Sequence, residues 1–362
     1  MIELVVRLRK ISVVIPTYNE RENISELIKK LESLELNLEI IIVDDNSPDN
    51  TAEEAMKLAD KYNNIKVLKR PGKLGLGSAI ADGMKIASGD YIAVMDADLQ
   101  HPPEKLLEIY KTLENGSDIV IASRYVEGGI IKGWSFYRKI VSKGATLLAH
   151  LLLPETKAIK DPLSGFFAFK RTSINNFIPS THGYKILLEL LYQSKVENIK
   201  IAEIPYTFIT RKRGKSKLSL SEMLRYLNLI LKLNEYRIIK FMMVGVIGIL
   251  VNEGVLYYLV ENSLKLIYAS PLAIETSIIS NHLLNNIWTF KTRSTKKINT
   301  YLDSLAKYHV SVLLGAIVNF ASLVLLTSLG FHYLLSNILG IFLGFISNYL
   351  FSEHFVWKRL IK

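Results

Sequence analysis

The sequence predicts an α/β domain with a mostly parallel sheet, followed by an α-helical membrane domain. In the first part of the chain, short apolar strands alternate with amphipathic helical segments, which is typical of βαβ units and a parallel sheet. From Phe241 onward, long apolar runs follow one another, and each has about the 20 residues needed to cross the hydrocarbon layer. The chain is therefore expected to combine a water-exposed domain with a membrane domain.

The first two predicted strands both end in polar residues. Residues 11–15 lead into the segment 16–20, and residues 39–43 lead into Asp44 and Asp45. A helix cap or a turn explains each polar segment about equally well when it is taken singly. Because the carboxyl ends of parallel strands meet at one edge of a sheet, where ligands bind, their joint occurrence favours a nucleotide site.

A third apolar strand, residues 91–95, runs into Asp96, Asp98 and Gln100. Alternate residues of a strand share a face, so these three side chains are expected to present oxygen atoms together. Oxygen ligands suit Mg²⁺ or Mn²⁺ shared with phosphate groups, although surface turns also produce this spacing. His101 is a possible fourth ligand, but the two prolines that follow it redirect the chain and favour a structural role.

On these motifs the chain resembles the inverting nucleotide-sugar transferases of glycosyltransferase family 2, and within it the dolichyl-phosphate mannose synthases. The matching segments run in family order over about residues 10 to 220, and they include VVIPTYNE, IIVDDNSPDNT, RPGKLGLGSA, MDADLQHPPE, GWSFYRKIVSKGA, DPLSGFFAFKR and RKRGKSKL. The resemblance implies a GT-A (Rossmann-like) catalytic domain. One departure is Asn50 where the family usually has glycine, and asparagine tolerates the left-handed backbone nearly as well.

The resemblance also implies roles for individual residues. GDP-mannose would be held by Pro16, Tyr18, Glu20, Val43, Asp45, Asp96, Ala97, Asp98, Gln100, Arg124, Arg211, Arg213 and Lys217. The metal, Mg²⁺ or Mn²⁺, would be held by Asp96, Asp98 and Gln100, and the phosphate of a lipid acceptor by Arg124, Arg138 and Ser142. Asp98, Arg124 and Arg138 are expected to carry catalysis. The guanidinium groups of the two arginines match phosphate oxygens bidentately.

Residues 211–217 concentrate five cations within seven positions. A phosphate-binding loop is one interpretation of this segment, and a solvated basic loop beside a membrane is the other.

The lack of a clear general base indicates which type of acceptor the site uses. The region 183–189 offers one carboxylate, Glu189, in an apolar helical setting. A lipid phosphate needs no base, because its second pKa near 6 leaves it largely dianionic at neutral pH. The resemblance implies inverting transfer of mannose from GDP-mannose to dolichyl (polyprenyl) phosphate, with release of GDP. The alternatives are glucosyl transfer from UDP-glucose to a polyprenyl phosphate, and a lipid-linked sugar flippase with a regulatory soluble domain.

The C-terminal part contains four predicted spans, at about residues 241–260, 266–290, 309–329 and 334–357. The pattern repeats at an offset of 67 residues, so that Val251 and Asn252 match Val318 and Asn319. A duplicated helical hairpin is expected, similar to the four-span family called GtrA-like. The predicted domains are residues 1–217 (catalytic), 218–236 (an amphipathic helix in the membrane interface) and 237–362 (transmembrane).

Loop charges predict the orientation. Residues 291–297 and the tail 358–362 are basic, whereas the turns at 261–265 and 330–333 are short and nearly uncharged. Basic loops stay on the cytoplasmic side, so we expect a multi-pass protein of the cell membrane with a cytoplasmic catalytic domain and C-terminus.

The net charge of +11 fits an anionic membrane surface and phosphate-bearing ligands. Nucleic acid is not expected as a partner of a chain with four spans, and no obligatory protein partner is evident. The sequence contains no cysteine, which excludes disulfides and thiolate chemistry.

Overall fold

Strands and helices alternate along the first part of the chain, as the sequence predicts. The computed structural model describes residues 9–174, 177, 179, 185–194, 199–210, 220–293 and 298–358. The chain divides into two compact units, Met1–Ile230 and Leu231–Lys362. The elements that begin in the first unit are β1 (Ile11–Thr17), α1 (Arg21–Glu32), β2 (Leu38–Asp44), α2 (Thr51–Ala59), β3 (Ile65–Lys69), α3 (Leu76–Ile86), β4 (Tyr91–Val94), α4 (Lys105–Glu114), β5 (Ile119–Ser123), β6 (Ile130–Lys132), α5 (Phe136–Leu152), β7 (Phe167–Lys170), α6 (Ile186–Gln193), β8 (Ile201–Pro205), β9 (Thr207–Ile209) and α7 (Leu220–Leu233).

A seven-stranded sheet forms the centre of this unit, in the order β3-β2-β1-β4-β7-β5-β8. Strand β7 runs antiparallel to β4 and β5, and the other neighbouring pairs are parallel. The prediction of a mostly parallel sheet is confirmed. Every residue of β1 and β2 is buried, because helices cover both faces of a parallel sheet. Strands β6 and β9 pair separately.

The polar segments after β1, β2 and β4 meet at one edge of the sheet, because these neighbouring strands run parallel. The acidic motif differs from the prediction in one respect. Strand β4 ends at Val94, and Asp96 to Gln100 follow it in a bend. Within that bend Leu99 has a φ of 58°, a left-handed conformation that costs a residue with a side chain about 1–3 kcal/mol. A turn, and not strand alternation, therefore arranges the acidic side chains.

Four helices make up most of the second unit: α8 (Arg237–Glu261), α9 (Leu266–Leu284), α10 (Ile298–Ser328) and α11 (Tyr333–Phe351). Both α9 and α11 continue into a π-helical turn, at Asn285–Thr289 and Ser352–Val356. These two turns lie 67 positions apart, the offset of the sequence repeat.

Small residues allow close helix packing in each hairpin. A Cβ atom added at Gly248 would lie 2.2 Å from Nδ2 of Asn281, and one at Gly315 would lie 3.2 Å from the Cβ of Asn348. Gly248 and Asn281 are the repeat equivalents of Gly315 and Asn348. The same glycine–asparagine contact is therefore used twice.

Three helical segments of the described chain are long and apolar enough to cross a membrane: Arg237–Glu261, Thr300–Ser328 and Tyr333–Val356. Helix α9, which carries Pro271 and Glu275, is not among them. The count of four spans stays a prediction.

Candidate active site

A cavity of about 1130 Å³ lies in the first unit, at the carboxyl edge of the sheet. Most of the side chains predicted to bind ligands line it. These are Pro16, Tyr18, Glu20, Asp45, Asp96, Ala97, Asp98, Gln100, Arg124, Arg138 and Ser142. Residues from distant parts of the sequence therefore converge on one site.

Four predicted residues are not in this group. The side chain of Val43 is fully buried in the apolar core beneath the sheet edge, and Val43 does not line the cavity. Any contact of Val43 with a nucleoside would have to come from its backbone. Arg211, Arg213 and Lys217 lie outside the described residues.

The acidic motif is held by hydrogen bonds of its own turn. The backbone N–H of Gln100 donates to Oδ1 of Asp98 (3.0 Å), and the Gln100 side-chain amide donates through Nε2 to the carbonyl of Ile209 (3.1 Å). Oε1 of Gln100 is its potential metal ligand, because a hard divalent cation binds an amide oxygen. Asp98 is nearly buried, with 7% of its surface exposed, whereas the Asp96 side chain is 41% exposed.

His101 supports this turn from below. Its Nδ1 accepts a hydrogen bond from the backbone N–H of Asp96 (3.1 Å). The ring is buried against Phe166 and Tyr206, with ring centroids 5.4 and 5.9 Å away. These contacts give His101 the structural role that the sequence favours.

The donor set fits a hard divalent cation. Among the described residues, no cluster of three or more Asp, Glu, His and Cys side chains could hold a metal. The site instead offers two carboxylates, Asp96 and Asp98, and the amide oxygen of Gln100. Mg²⁺ commonly binds through one or two carboxylates and completes its shell with substrate phosphates and water. The cavity therefore suits a metal that arrives with, or is shared by, a diphosphate.

Arg124 is anchored by Asp161, a residue to which the sequence analysis assigned no role. Nε and Nη2 of Arg124 donate to the two oxygens of Asp161, both at 2.7 Å, and the Arg124 backbone N–H donates at 3.0 Å. Asp161 is fully buried. Burial disfavours the Arg124 cation, but the hydrogen bonds and charge of Asp161 outweigh it and raise the pKa of Arg124. Arg124 therefore stays charged, with its Nη1 side left for a ligand.

Arg138 and Ser142 lie four residues apart on α5, so they share one face of that helix. The Ser142 hydroxyl accepts a hydrogen bond from the hydroxyl of Tyr125 (2.8 Å). Both residues line the cavity together with Arg124. The three groups predicted to hold the acceptor phosphate are therefore brought together.

Asp45 has a different environment from a free ligand-binding carboxylate. It forms a buried ion pair with Arg70, and its Oδ2 accepts from the backbone N–H of Gly75 (2.8 Å). Nη2 of Arg70 also donates to the hydroxyl of Ser78 (2.7 Å). Asp45 therefore shapes the loop before α3. From this loop Lys73 reaches the cavity, and its Nζ lies 3.9 Å from the ring centroid of Tyr18.

Lys185 is a further cavity cation that the sequence analysis missed. Its Nζ donates to the carbonyl of Leu163 (3.4 Å). Burial, followed by the positive charge of Arg124, lowers the pKa of Lys185. Glu189, one turn further along α6, is buried and does not line the cavity.

Apolar side chains also line the cavity. Helices α5 and α7 contribute Ile140, Val141, Leu148, Met223 and Leu227, and α7 adds the charged Glu222 and Arg225. The same two helices expose apolar side chains on the surface, including Phe136 (80% exposed) and Leu224 (58% exposed). The hydroxyl of Tyr226 on α7 donates to the Ala145 carbonyl of α5 at 2.5 Å. One cavity is thus lined by both charged and apolar side chains.

Two family models match the chain. Residues 12–177 match glycosyl transferase family 2, and residues 240–357 match the GtrA/DPMS transmembrane domain.

Two curated relatives match the chain, one of them over nearly its whole length. The chain is 45% identical over 355 residues to the dolichol-phosphate mannosyltransferase of Pyrococcus furiosus, covering 96% of this chain and 99% of that protein. It is 37% identical to the enzyme of the same name from Saccharomyces cerevisiae, covering 64% of this chain and 88% of that protein. Among solved structures, glucosyl-3-phosphoglycerate synthase of Mycobacterium tuberculosis is 23% identical, with a TM-score of 0.48 over 62% of this chain and 78% of that one.

Proposed function

Since the chain belongs to the dolichol-phosphate mannosyltransferases of glycosyl transferase family 2, we propose that its donor is GDP-mannose and its acceptor a dolichyl (polyprenyl) phosphate. It is a membrane protein and a glycosyltransferase that transfers mannose to a polyprenyl phosphate. The relatives' names specify the sugar and the lipid, whereas the GDP leaving group and the divalent cation are proposals.

The observation that carries this proposal is the polarity of the cavity. The lining combines three kinds of surface: the oxygen atoms of Asp96, Asp98 and Gln100, the guanidinium groups of Arg124 and Arg138, and apolar side chains of α5 and α7. A nucleoside diphosphate with a divalent cation needs the first surface, and a phosphate needs the second. A polyprenyl chain needs the third, because burial of apolar surface drives its binding.

The reaction we propose is a direct displacement. A nonbridging oxygen of the lipid phosphate forms a bond to the anomeric carbon of mannose while the bond from that carbon to the diphosphate breaks. The electron pair leaves with GDP, and the configuration inverts to a β-linked product. Arg124, Arg138 and Ser142 orient the attacking phosphate, which makes the encounter effectively intramolecular. A divalent cation held by Asp96, Asp98 and Gln100 would offset the charge that develops on the departing diphosphate.

A donor panel tests this assignment. Full-length protein in detergent is offered GDP-mannose, UDP-glucose and other nucleotide sugars with polyprenyl phosphate, with Mg²⁺, Mn²⁺ or excess chelator. We expect organic-extractable label from GDP-mannose with either cation and none with chelator. Preferential use of UDP-glucose would contradict the donor assignment, and full activity in chelator would contradict the metal.

We further propose that the catalytic unit faces the cytoplasm. The segment between α9 and α10, residues 291–297, and the tail 358–362 are basic, and such segments stay on the cytoplasmic side. The hairpin turns at 262–265 and 329–332 carry little charge. Protease protection of tags placed at the two termini would test this orientation.

Arg138→Ala is expected to raise the KM for polyprenyl phosphate about 10- to 100-fold, because a charged hydrogen bond to phosphate contributes about 1.5–3 kcal/mol. The Kd for GDP should change by less than about twofold, since Arg138 is proposed to bind the acceptor. Steady-state kinetics and GDP titration measure the two effects. Lys139→Ala, an exposed neighbour on the same helix, is the matched control. Equal losses in both constants would place Arg138 on the donor.

Truncation after Leu233 should leave transfer to a short-chain polyprenyl phosphate in detergent, because every proposed catalytic residue precedes Ile230. Use of long-chain acceptor in vesicles should fall, since the truncated chain loses the high local lipid concentration that a membrane domain provides. Activity of both lengths of chain on both acceptors measures this. A truncated chain that folds and binds GDP but transfers no mannose would mean that the second unit contributes to the active site.

A further inference from the structure

Trp134 is a cavity residue to which neither the sequence analysis nor the proposed function assigns a role. It lies between β6 and α5, is half-buried, and lines the cavity. Its indole ring contacts two guanidinium groups: that of Arg138 lies 4.5 Å from the ring centroid and that of Arg124 lies 5.4 Å from it. Both distances are within the range of about 6 Å for cation–π attraction.

The indole ring offsets electrostatic repulsion within this site. Two guanidinium groups that converge on one phosphate repel each other while the phosphate is absent. Arg124 is anchored by Asp161, whereas Arg138 comes from a different element, α5. The negative face of tryptophan attracts cations more strongly than that of any other aromatic residue. The indole therefore holds both cations at a set spacing before the ligand arrives.

The polar atom of the ring points to a ligand as well. Nε1 of Trp134 is buried, and no described residue accepts a hydrogen bond from it. The ring is packed edge-on against Phe208, with centroids 5.3 Å apart and planes at 72°. A buried donor left without an acceptor is costly, and packing hinders its rotation towards solvent. A ligand oxygen in the cavity would remove that cost.

We propose that Trp134 positions Arg124 and Arg138 and donates its Nε1–H to an oxygen of the acceptor phosphate. The inference rests on the proposed function, because it takes the ligand of the two arginines to be the lipid phosphate. Among the oxygens that such a site receives, those of a dianion are the strongest acceptors.

Two variants separate the hydrogen bond from the cation contacts. Trp134→Phe keeps an aromatic face but removes the N–H, and we expect the KM for polyprenyl phosphate to rise about tenfold with kcat and the Kd for GDP within about twofold of wild type. Trp134→Leu removes both, and we expect a rise in KM of about 100-fold together with a lower kcat. Tyr91→Phe, which deletes a buried hydrogen bond to Glu114 (2.6 Å) away from the cavity, shows what destabilisation alone does to these constants.

A double-mutant cycle tests the positioning role. Arg138→Ala should raise the KM less in the Trp134→Leu background than in wild type, because contacting residues couple. The two factors should differ by about fivefold or more. Additive effects would overturn positioning, and a Trp134→Phe variant with wild-type KM would overturn the hydrogen bond. Equal losses of GDP and lipid-phosphate binding would mean that the ring only packs.

Binding of polyprenyl phosphate without donor is measured in parallel on the full-length protein. If wild type binds the lipid phosphate, and Trp134→Phe binds it about tenfold more weakly, the inference holds even where no mannose is transferred. That combination would overturn the proposed function alone. Transfer by wild type with unchanged lipid-phosphate binding in Trp134→Phe would overturn the inference alone.

Discussion

Asp98→Ala is expected to lower mannosyl transfer by about a thousandfold or more, because the cation it is proposed to hold stabilises developing charge by several kcal/mol. Asp98 lines the cavity rather than the apolar core, and its Oδ1 accepts a local hydrogen bond from the Gln100 backbone N–H. The fold should therefore survive the substitution. Initial rates with saturating Mg²⁺ or Mn²⁺, together with a thermal unfolding curve, measure the two expectations.

Controls around Asp98 make this result interpretable. Gln100→Ala should be milder, about tenfold, because water can replace a neutral ligand in a magnesium shell. Asp60→Ala removes an exposed carboxylate at the end of α2 and should leave rates unchanged. If Asp98→Ala retains more than about a tenth of wild-type activity, or if excess chelator does not inhibit wild type, the metal assignment is wrong.

Asp161→Asn should impair both stability and catalysis. Removing one partner of a buried ion pair typically costs about 3–5 kcal/mol, because the remaining charge is left uncompensated. Here the remaining charge is Arg124, which Asp161 holds by two side-chain hydrogen bonds of 2.7 Å. Each kcal/mol lowers the Tm of a domain this size by about 2–4 °C, so a fall of roughly 10 °C is expected. The KM for polyprenyl phosphate should rise at least tenfold in protein that remains folded.

Glu39→Gln is the matched control for Asp161→Asn. Glu39 is an equally buried carboxylate of the same unit, bonded to Ser12 and paired with Lys10 and Lys66 away from the cavity. Burial raises its pKa, but the hydrogen bonds of Lys66, Ser12 and Ser88 outweigh burial and hold that pKa well below the ordinary value. Its loss should lower stability without changing the KM for either substrate. If the two variants behave alike at a temperature where both are folded, Asp161 does not act through Arg124.

Much of the molecule could be predicted from local sequence patterns. The alternation of buried strands and amphipathic helices indicates the mostly parallel sheet, since periodicity reflects which faces are buried. The carboxyl edge of that sheet is where the acidic motif and the segments after β1 and β2 were expected, and the cavity lies there. The repeat in the second unit is likewise visible as matching residues, and its π turns recur at the same offset. These features depend on neighbours close in the chain.

The supporting contacts of the site depend on tertiary structure. Asp161 lies 37 positions from Arg124, and Arg70 lies 25 positions from Asp45, so no periodicity links either pair. The sequence DPLSG predicts that its aspartate is a turn residue. Only the tertiary structure shows that this aspartate is buried against a guanidinium group.

The sequence by itself determined the fold class, the family and eleven of the residues that line the cavity, because burial periodicity and motif order are properties of the chain. Only the tertiary structure decided that Asp45 is tied to Arg70, that Leu99 turns the acidic motif, and that Trp134 lies between two arginines. Side-chain partners are selected by distance and orientation after the elements pack, and a buried polar group takes whichever partner packing places within reach.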